Sequence, residues 1–121
     1  MRYIYAFEKL QVWHDARALV KKIYELTENL TAEEKYGLGS QMRRSGVSFV
    51  SNIAEGSGRS SKKDQANFYQ MAFSSLIELL NQLIISHDLT CISDEDLHLF
   101  REEIEMISNK INALRKSCFN Q

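Results

Sequence analysis

The clearest hydrophobic pattern in the chain lies near its C-terminal end, where apolar residues recur at alternating spacings of three and four. The positions are Leu97, Phe100, Ile104, Ile107, Ile111 and Leu114. This spacing is typical of an α-helix whose apolar stripe packs on neighbouring helices. Ser93 is a candidate N-cap before an acidic first turn, and Arg115 and Lys116 lie near the other end, as the helix dipole favours. The pattern predicts a helix here.

Three further helical segments precede this one. The first carries a broad apolar face formed by Trp13, Ala16, Val20, Ile23, Leu26 and Leu30. The second begins at Thr31, where Glu34 stands at the spacing of a capping box, and it stops at Gly56-Ser57-Gly58. The third follows Ser60 and Ser61. The predicted helices cover about residues 9–29, 32–55, 61–87 and 94–117.

The lengths of these segments predict the architecture. Helices of about 20–25 residues are about 30–37 Å long, and four of them with short connections are typical of an antiparallel up-down-up-down bundle. The chain has 121 residues, no proline and no low-complexity linker, so residues 1–121 are expected to form one all-α domain. Residues 1–8, with Tyr3, Tyr5 and Phe7 in alternation, are expected to lie extended against the bundle.

Helix three is more apolar than a single stripe requires. Apolar residues between Leu76 and Ile85 cover well over half of its circumference. A helix that is apolar nearly all round is buried on more than one side, and in a short chain the second side is expected to be another copy. The alternative is that Ile77 and Leu80 are simply tolerated at the surface.

Helix two has a stripe of small or polar residues beside an apolar one. The stripe consists of Ser45, Ser48, Asn52 and Glu55, at spacings of 3, 4 and 3. Two interpretations stay open, a specific contact surface that fixes oligomer geometry and an ordinary solvated face. The candidate residues for an oligomer contact or polar network are Ser48, Asn52, Glu55, Glu78 and Leu80.

Charge is segregated along the chain although the formal net charge is only −1. Between residues 43 and 63 five cations face one acid, Glu55, whereas between residues 78 and 105 eight acids face Arg101 alone. The candidate residues for binding nucleic acid or another anion are Arg43, Arg44, Arg59, Lys62 and Lys63. Repeated in each subunit of an oligomer, they would contact phosphates. The alternative is that Arg43 or Arg44 forms an ion pair with Glu55 or Glu78, within the chain or between subunits.

Motifs for catalysis and cofactors are incomplete in this sequence. The loop from Gly56 to Lys63 follows no strand and lacks the Gly-Lys-Ser/Thr ending of a phosphate-binding loop. Glu95 and His98 form the only Glu-x-x-His pair, and a di-metal bundle site needs two. Cys91 and Cys118 are expected to be free thiols in the cytoplasm. We therefore expect no catalytic residue, no metal, no cofactor, no enzymatic activity and no membrane span.

Several motifs, in order, resemble those of bacterial four-helix bundle proteins encoded in intervening sequences of 23S rRNA genes, a family related to accessory proteins of diversity-generating retroelements. They are Phe7-Glu-Lys-Leu10, Glu34-Lys-Tyr-Gly-Leu38, Gln41-Met-Arg-Arg44, Ser51-Asn-Ile-Ala-Glu-Gly56 with Gly58-Arg59, and Ser75-Leu-Ile-Glu78. The chain departs from the family pattern at Val50, where proline is frequent, and at Leu80, where an acid is common.

The resemblance implies a bundle that assembles as a ring, commonly a homopentamer, with a binding role, and with nucleic acid as the ligand proposed for the retroelement branch. Its motif positions are Arg43, Arg44, Asn52, Glu55, Arg59 and Glu78. The sequence thus favours a non-enzymatic homo-oligomer that contacts RNA, DNA or a nucleic-acid-processing protein partner. The rival hypothesis is a structural or adaptor oligomer with no nucleic-acid ligand.

Overall fold

The computed structural model describes residues 1–119, and every regular element in that range is helical. The second long helix, α2, is continuous through three stretches, the middle one being a π-helix. The bounds are Gln11–Glu28 for α1, Ala32–Glu34, Lys35–Gly39 and Ser40–Ser57 for α2, Lys62–Asp88 for α3, and Asp94–Ser117 for α4. Each helix packs on the next one along the chain, and α1 also packs on α4, so every helix of the bundle contacts two others. The predicted all-α four-helix bundle is confirmed.

The N-terminal segment differs from the extended chain expected for residues 1–8, because Ala6–Lys9 form a turn of 3-10 helix. The reason is local hydrogen bonding. The Glu8 carboxylate accepts from the backbone N–H of Tyr5 at 3.0 Å, and the Tyr5 carbonyl accepts from the Glu8 N–H at 3.1 Å. The turn packs on α2, and the Phe7 ring meets Trp13 edge-on at 4.9 Å between centroids.

The core is filled from all four helices, and the seam of α4 is turned inward. Phe100, Ile104, Ile107 and Ile111 are buried there, and Leu97 and Leu114 are half-buried. Helix α1 is rotated slightly from its predicted face, since Leu19 is buried and Val20 is only half-buried. In α3 the side chains of Ala72, Leu76, Leu79 and Leu83 are fully buried.

Polar side chains cap the starts of three helices. Thr31, Ser61 and Ser93 each accept a hydrogen bond from the backbone N–H three residues further on, at 3.4, 3.0 and 3.1 Å respectively. These bonds satisfy N–H groups that have no partner within the helix. The caps fix where α2, α3 and α4 begin. Thr31, the first residue of the predicted capping box, supplies the first of them by accepting from the Glu34 N–H.

Helix α3 ends in a Schellman motif. The N–H of Cys91 donates to the Ser86 carbonyl at 2.8 Å, and the N–H of Thr90 donates to the His87 carbonyl at 2.9 Å. The motif requires a left-handed residue, and Thr90 fills that position with φ at 61°. Glycine is the usual residue there because a β-branched side chain is strained at positive φ.

Helices α2 and α3 approach each other closely at Gly56, near the end of α2. A Cβ at this position would lie 2.8 Å from Tyr69 Cε1 and 2.9 Å from Phe68 Cβ, both on α3. The absence of a side chain therefore allows the two helices to meet. Two ion pairs join α1 to α4 elsewhere, Lys22 with Glu103 at 2.9 Å and Lys110 with Asp15 at 2.6 Å.

Candidate nucleic-acid interface

The polar stripe of α2 faces α3 of the same chain. Ser45 Oγ donates to Glu78 Oε1 at 2.6 Å, and the hydroxyls of Ser48 and Ser75 are 3.0 Å apart. Asn52 Nδ2 donates to the Ser48 carbonyl at 2.9 Å. Ser45 and Ser48 therefore join α2 to α3 within one chain, whereas the Asn52 bond lies within α2.

The remaining two candidates for an oligomer contact lie elsewhere. Glu55 is exposed and lies 3.8 Å from the Arg59 guanidinium, one turn further on. Leu80 is half-buried and lies with Ile77, which is 44% exposed, along a groove between α3 and α4. The other lining residues of that groove are His98, Arg101, Glu102, Ile104, Glu105 and Ser108. One edge of α3 is thus apolar and partly uncovered in the single chain.

Arg43 is held against α1 by four contacts. Its Nε donates to Thr27 Oγ1 at 2.7 Å, and its Nη2 donates to the Tyr24 carbonyl at 3.2 Å and to Glu28 Oε2 at 3.1 Å. The guanidinium carbon also lies 4.4 Å from the centroid of the Tyr24 ring. The internal pairing considered for one of the two arginines is therefore present, with Glu28 as the partner rather than Glu55 or Glu78.

Glu28 bridges two cations on α2. Its other oxygen accepts from Lys35 Nζ at 2.8 Å. The hydrogen bonds from Lys35 and then Arg43 lower the pKa of the Glu28 carboxyl below its ordinary value. The carboxylate stays ionised in this environment, and it orients both cations at the junction of α1 and α2.

Arg44 is exposed and makes no ion pair among residues 1–119. It lies at an open groove of about 500 Å³ between the end of α1 and the first half of α2, which we call the α1–α2 groove. The residues that line it are Tyr24, Lys35, Tyr36, Ser40, Arg43, Arg44 and Val47. The groove combines three cations, two aromatic rings and a hydroxyl, a set of side chains suited to an anionic ligand with a flat apolar part.

The π-helical stretch Lys35–Gly39 forms one wall of this groove. Its two glycines differ in surroundings, because a Cβ at Gly37 would meet no atom within 4 Å, whereas a Cβ at Gly39 would lie 3.3 Å from the side chain of Leu30. The stretch carries Tyr36 on the outside of the bundle, where this residue is 84% exposed. Single turns of π-helix inside α-helices are frequent at functional sites.

The other three basic candidates lie at the opposite end of α2. The Arg59 guanidinium lies 4.3 Å from the centroid of the Phe68 ring. Lys62 and Lys63 are exposed in the first turn of α3 and make no ion pair in the part of the chain that the structure describes. The fifteen residues from Arg44 to Arg59 correspond to about 22 Å along a helix. The five predicted cations therefore form two separate zones within one chain.

The described residues hold no cluster of His, Cys, Asp and Glu side chains suited to a metal ion. Cys118 is buried. The pKa of the Cys91 thiol is raised, mainly by burial and to a smaller extent by the nearby Glu34 carboxylate, and this disfavours the nucleophilic thiolate. Between residues 1 and 119, no helix has the length and hydropathy that crossing a bilayer requires.

Comparison with known proteins gives the family. A family model described as 23S rRNA-intervening sequence protein matches residues 8–113. The chain belongs to this family. The family resemblance inferred from the motifs is therefore confirmed. A separate comparison with curated proteins gave no match.

A solved structure supports the family's fold. It is a crystal structure of a protein of unknown function from the S23 ribosomal protein family of Bacteroides thetaiotaomicron. It superposes with a TM-score of 0.81 at 23% identity, covering 87% of this chain and 95% of that one. At this identity the similarity establishes the helical bundle.

Five residues of the α1–α2 groove were not predicted from the sequence: Tyr24, Lys35, Tyr36, Ser40 and Val47. Lys35 and Tyr36 belong to a family motif but were not assigned to a site, although a cation beside an aromatic residue at the start of a helix is a usable signal. Tyr24 gives no comparable signal in sequence, because only the packing of α1 on α2 brings it beside Arg43.

Proposed function

We propose that the chain is a non-enzymatic binding protein that contacts nucleic acid at the α1–α2 groove. The observation that carries the proposal is the exposed Arg44, without an ion pair among residues 1–119, on a groove that also holds Lys35 and Arg43. A guanidinium with free donors is well suited to phosphate oxygens.

The local charge supports this assignment better than the total charge does. The groove and its immediate partner Glu28 hold three cations against one acid, whereas the whole chain has a net charge of −1. Binding is therefore expected at one place rather than over the whole surface.

A mobility-shift titration with structured rRNA fragments tests the nucleic-acid part. Arg44→Ala is expected to weaken binding and to lower the slope of log affinity against log salt by about 1. Lys21→Ala is a suitable control, because Lys21 is an exposed cation on α1 outside the groove. Absence of binding at low salt, with the protein folded and its assembly state unchanged, would contradict the proposal.

The proposal includes assembly into a homo-oligomer, for which the family resemblance implies a ring of five. The supporting observation is the outer surface of α3, where Met71 and Ile77 are each 44% exposed and Ile85 is 38% exposed. Leu80 and Ile84 on the same helix are half-buried. Such edges are stabilised by burial against another copy, at about 25 cal/mol per Å² of apolar surface.

Light scattering at micromolar concentration tests the assembly. Ile77→Glu is expected to shift the mass toward the monomer, whereas Asn109→Glu, a change at an exposed polar position on α4 outside the groove between α3 and α4, is expected to leave the mass unchanged. A native chain that is monomeric under these conditions would refute the oligomer. An oligomer that ignores nucleic acid would favour the rival function, a structural or adaptor protein.

A further inference from the structure

The exposed ring of Tyr36 is the least explained feature of the α1–α2 groove. It is 84% exposed, although it stands on a continuous helix beside three cations. The second ring of the groove, Tyr24, is 40% exposed, and the Arg43 guanidinium lies over it at 4.4 Å. Of the two tyrosines, Tyr36 is therefore the one with a ring available for stacking.

The three cations of the groove also differ in whether their own chain already pairs them. Arg43 and Lys35 are held by Glu28, whereas Arg44 makes no ion pair among the described residues. The groove thus offers one aromatic face and one guanidinium that its own chain leaves uncovered. A ligand that satisfies both must present a flat ring and an anionic group close together.

Unpaired nucleotides have this combination. In a duplex the faces of the bases are stacked on one another, so only phosphates and groove edges are accessible. In a single strand each base face is free beside its own phosphate, and aromatic side chains in single-strand-binding proteins stack on such bases. The groove volume of about 500 Å³ falls within the range of sites for small ligands.

We infer that the α1–α2 groove binds unpaired nucleotides of a single strand, with a base stacked on Tyr36 and the adjacent phosphate on Arg44. The inference rests on the proposed nucleic-acid function and narrows it to one class of ligand. Ser40 supplies a hydroxyl for a polar contact in the same groove, and Val47, which is 44% exposed, supplies apolar surface. The stacked base needs no particular identity, since every base has an aromatic face.

Fluorescence anisotropy with labelled oligonucleotides tests the inference. The probes are an unstructured single strand and a hairpin of equal length, each made as RNA and as DNA so that preference for a 2′-hydroxyl is measured separately. The native chain is expected to bind the single strands more tightly than the hairpin stems. Tyr36→Ala is expected to weaken single-strand binding by about 5- to 150-fold, whereas Tyr36→Phe retains it.

Controls separate stacking from other effects. Tyr5→Ala removes a ring that is 60% exposed outside the groove and is expected to leave binding unchanged. Arg44→Ala is expected to weaken single strands and stems together, because it acts on phosphate. Light scattering of Tyr36→Ala is expected to match that of the native chain.

Each contrary outcome has a distinct meaning. If stems and single strands bind equally and Tyr36→Ala has no effect while Arg44→Ala weakens both, the single-strand inference is overturned and the proposed function stands. If Tyr36→Ala changes the oligomer mass, the ring belongs to a subunit contact and the inference is overturned. If neither kind of probe binds, both the inference and the proposed nucleic-acid function are overturned.

Discussion

Gly56→Ala probes the contact on which the α2–α3 pairing depends. The added methyl group would lie 2.8 Å from Tyr69 Cε1 and 2.9 Å from Phe68 Cβ. The Tyr69 ring is buried at 3% exposure and has little free space into which to move. The Phe68 Cβ is fixed to the backbone, so no rotation of that side chain relieves the contact. The two helices must separate locally for alanine to fit.

The expected magnitude follows from two opposing effects. Alanine favours a helix over glycine by about 1 kcal/mol. Forcing an extra methyl group into a packed contact costs about 1–3 kcal/mol, and the contact with Phe68 Cβ places this position at the upper end. We therefore expect Gly56→Ala to lower the free energy of unfolding by about 2 kcal/mol.

Urea denaturation followed by circular dichroism measures the effect, with all variants at one protein concentration because an oligomer unfolds in a concentration-dependent way. Gly37→Ala is the matched control. A Cβ at Gly37 meets nothing within 4 Å, so this variant keeps the helix-propensity gain and is expected to be more stable by about 0.5–1 kcal/mol. If Gly56→Ala were as stable as Gly37→Ala, a steric limit at the α2–α3 contact would be refuted.

Three further predictions concern single residues with unusual surroundings. Thr90→Gly relieves the strained φ of 61° at the end of α3 and is expected to raise the free energy of unfolding by about 1 kcal/mol, and with it the melting temperature. An unchanged or lower melting temperature would show that Thr90 is not strained. Burial, with a smaller effect of Cys118, raises the pKa of Tyr69 to about 12. Because the unfolded phenol ionises near pH 10, stability is expected to fall as pH rises from 10 to 12, and Tyr69→Phe should remove this dependence in urea titrations across that range. Arg43→Ala removes the guanidinium that donates to Thr27 and Glu28, and it is expected to cost about 1–3 kcal/mol in urea denaturation, whereas Arg44→Ala should change stability by less than about 0.5 kcal/mol.

The contrast between the two arginines has a functional consequence. Arg43 fixes the end of α1 on α2 and orients the groove, while Arg44 remains available to a ligand. A variant that removes both would lose binding for two reasons at once. Separate measurements of stability and affinity on the single variants are therefore needed to assign the phosphate contact to Arg44.

The sequence by itself determined the elements and the architecture. The seam of α4 follows from spacings of three and four between Leu97 and Leu114, and the start of α2 follows from the capping residue Thr31. These signals are local, because a helix forms from hydrogen bonds and side-chain contacts within a few residues. The family motifs were also recognisable, since they are strings of neighbouring residues that the family model matches over residues 8–113.

Only the tertiary structure decided how the helices are rotated about their axes. Arg43 and Arg44 are neighbours in sequence, yet successive residues of a helix point about 100° apart. Arg43 therefore meets Thr27 on α1, whereas Arg44 makes no ion pair among residues 1–119 and stays exposed at the groove. The same rotation turns Ser48 toward Ser75 on α3. Contacts between residues 16 and 27 positions apart depend on the packing of whole helices, and no local pattern encodes them.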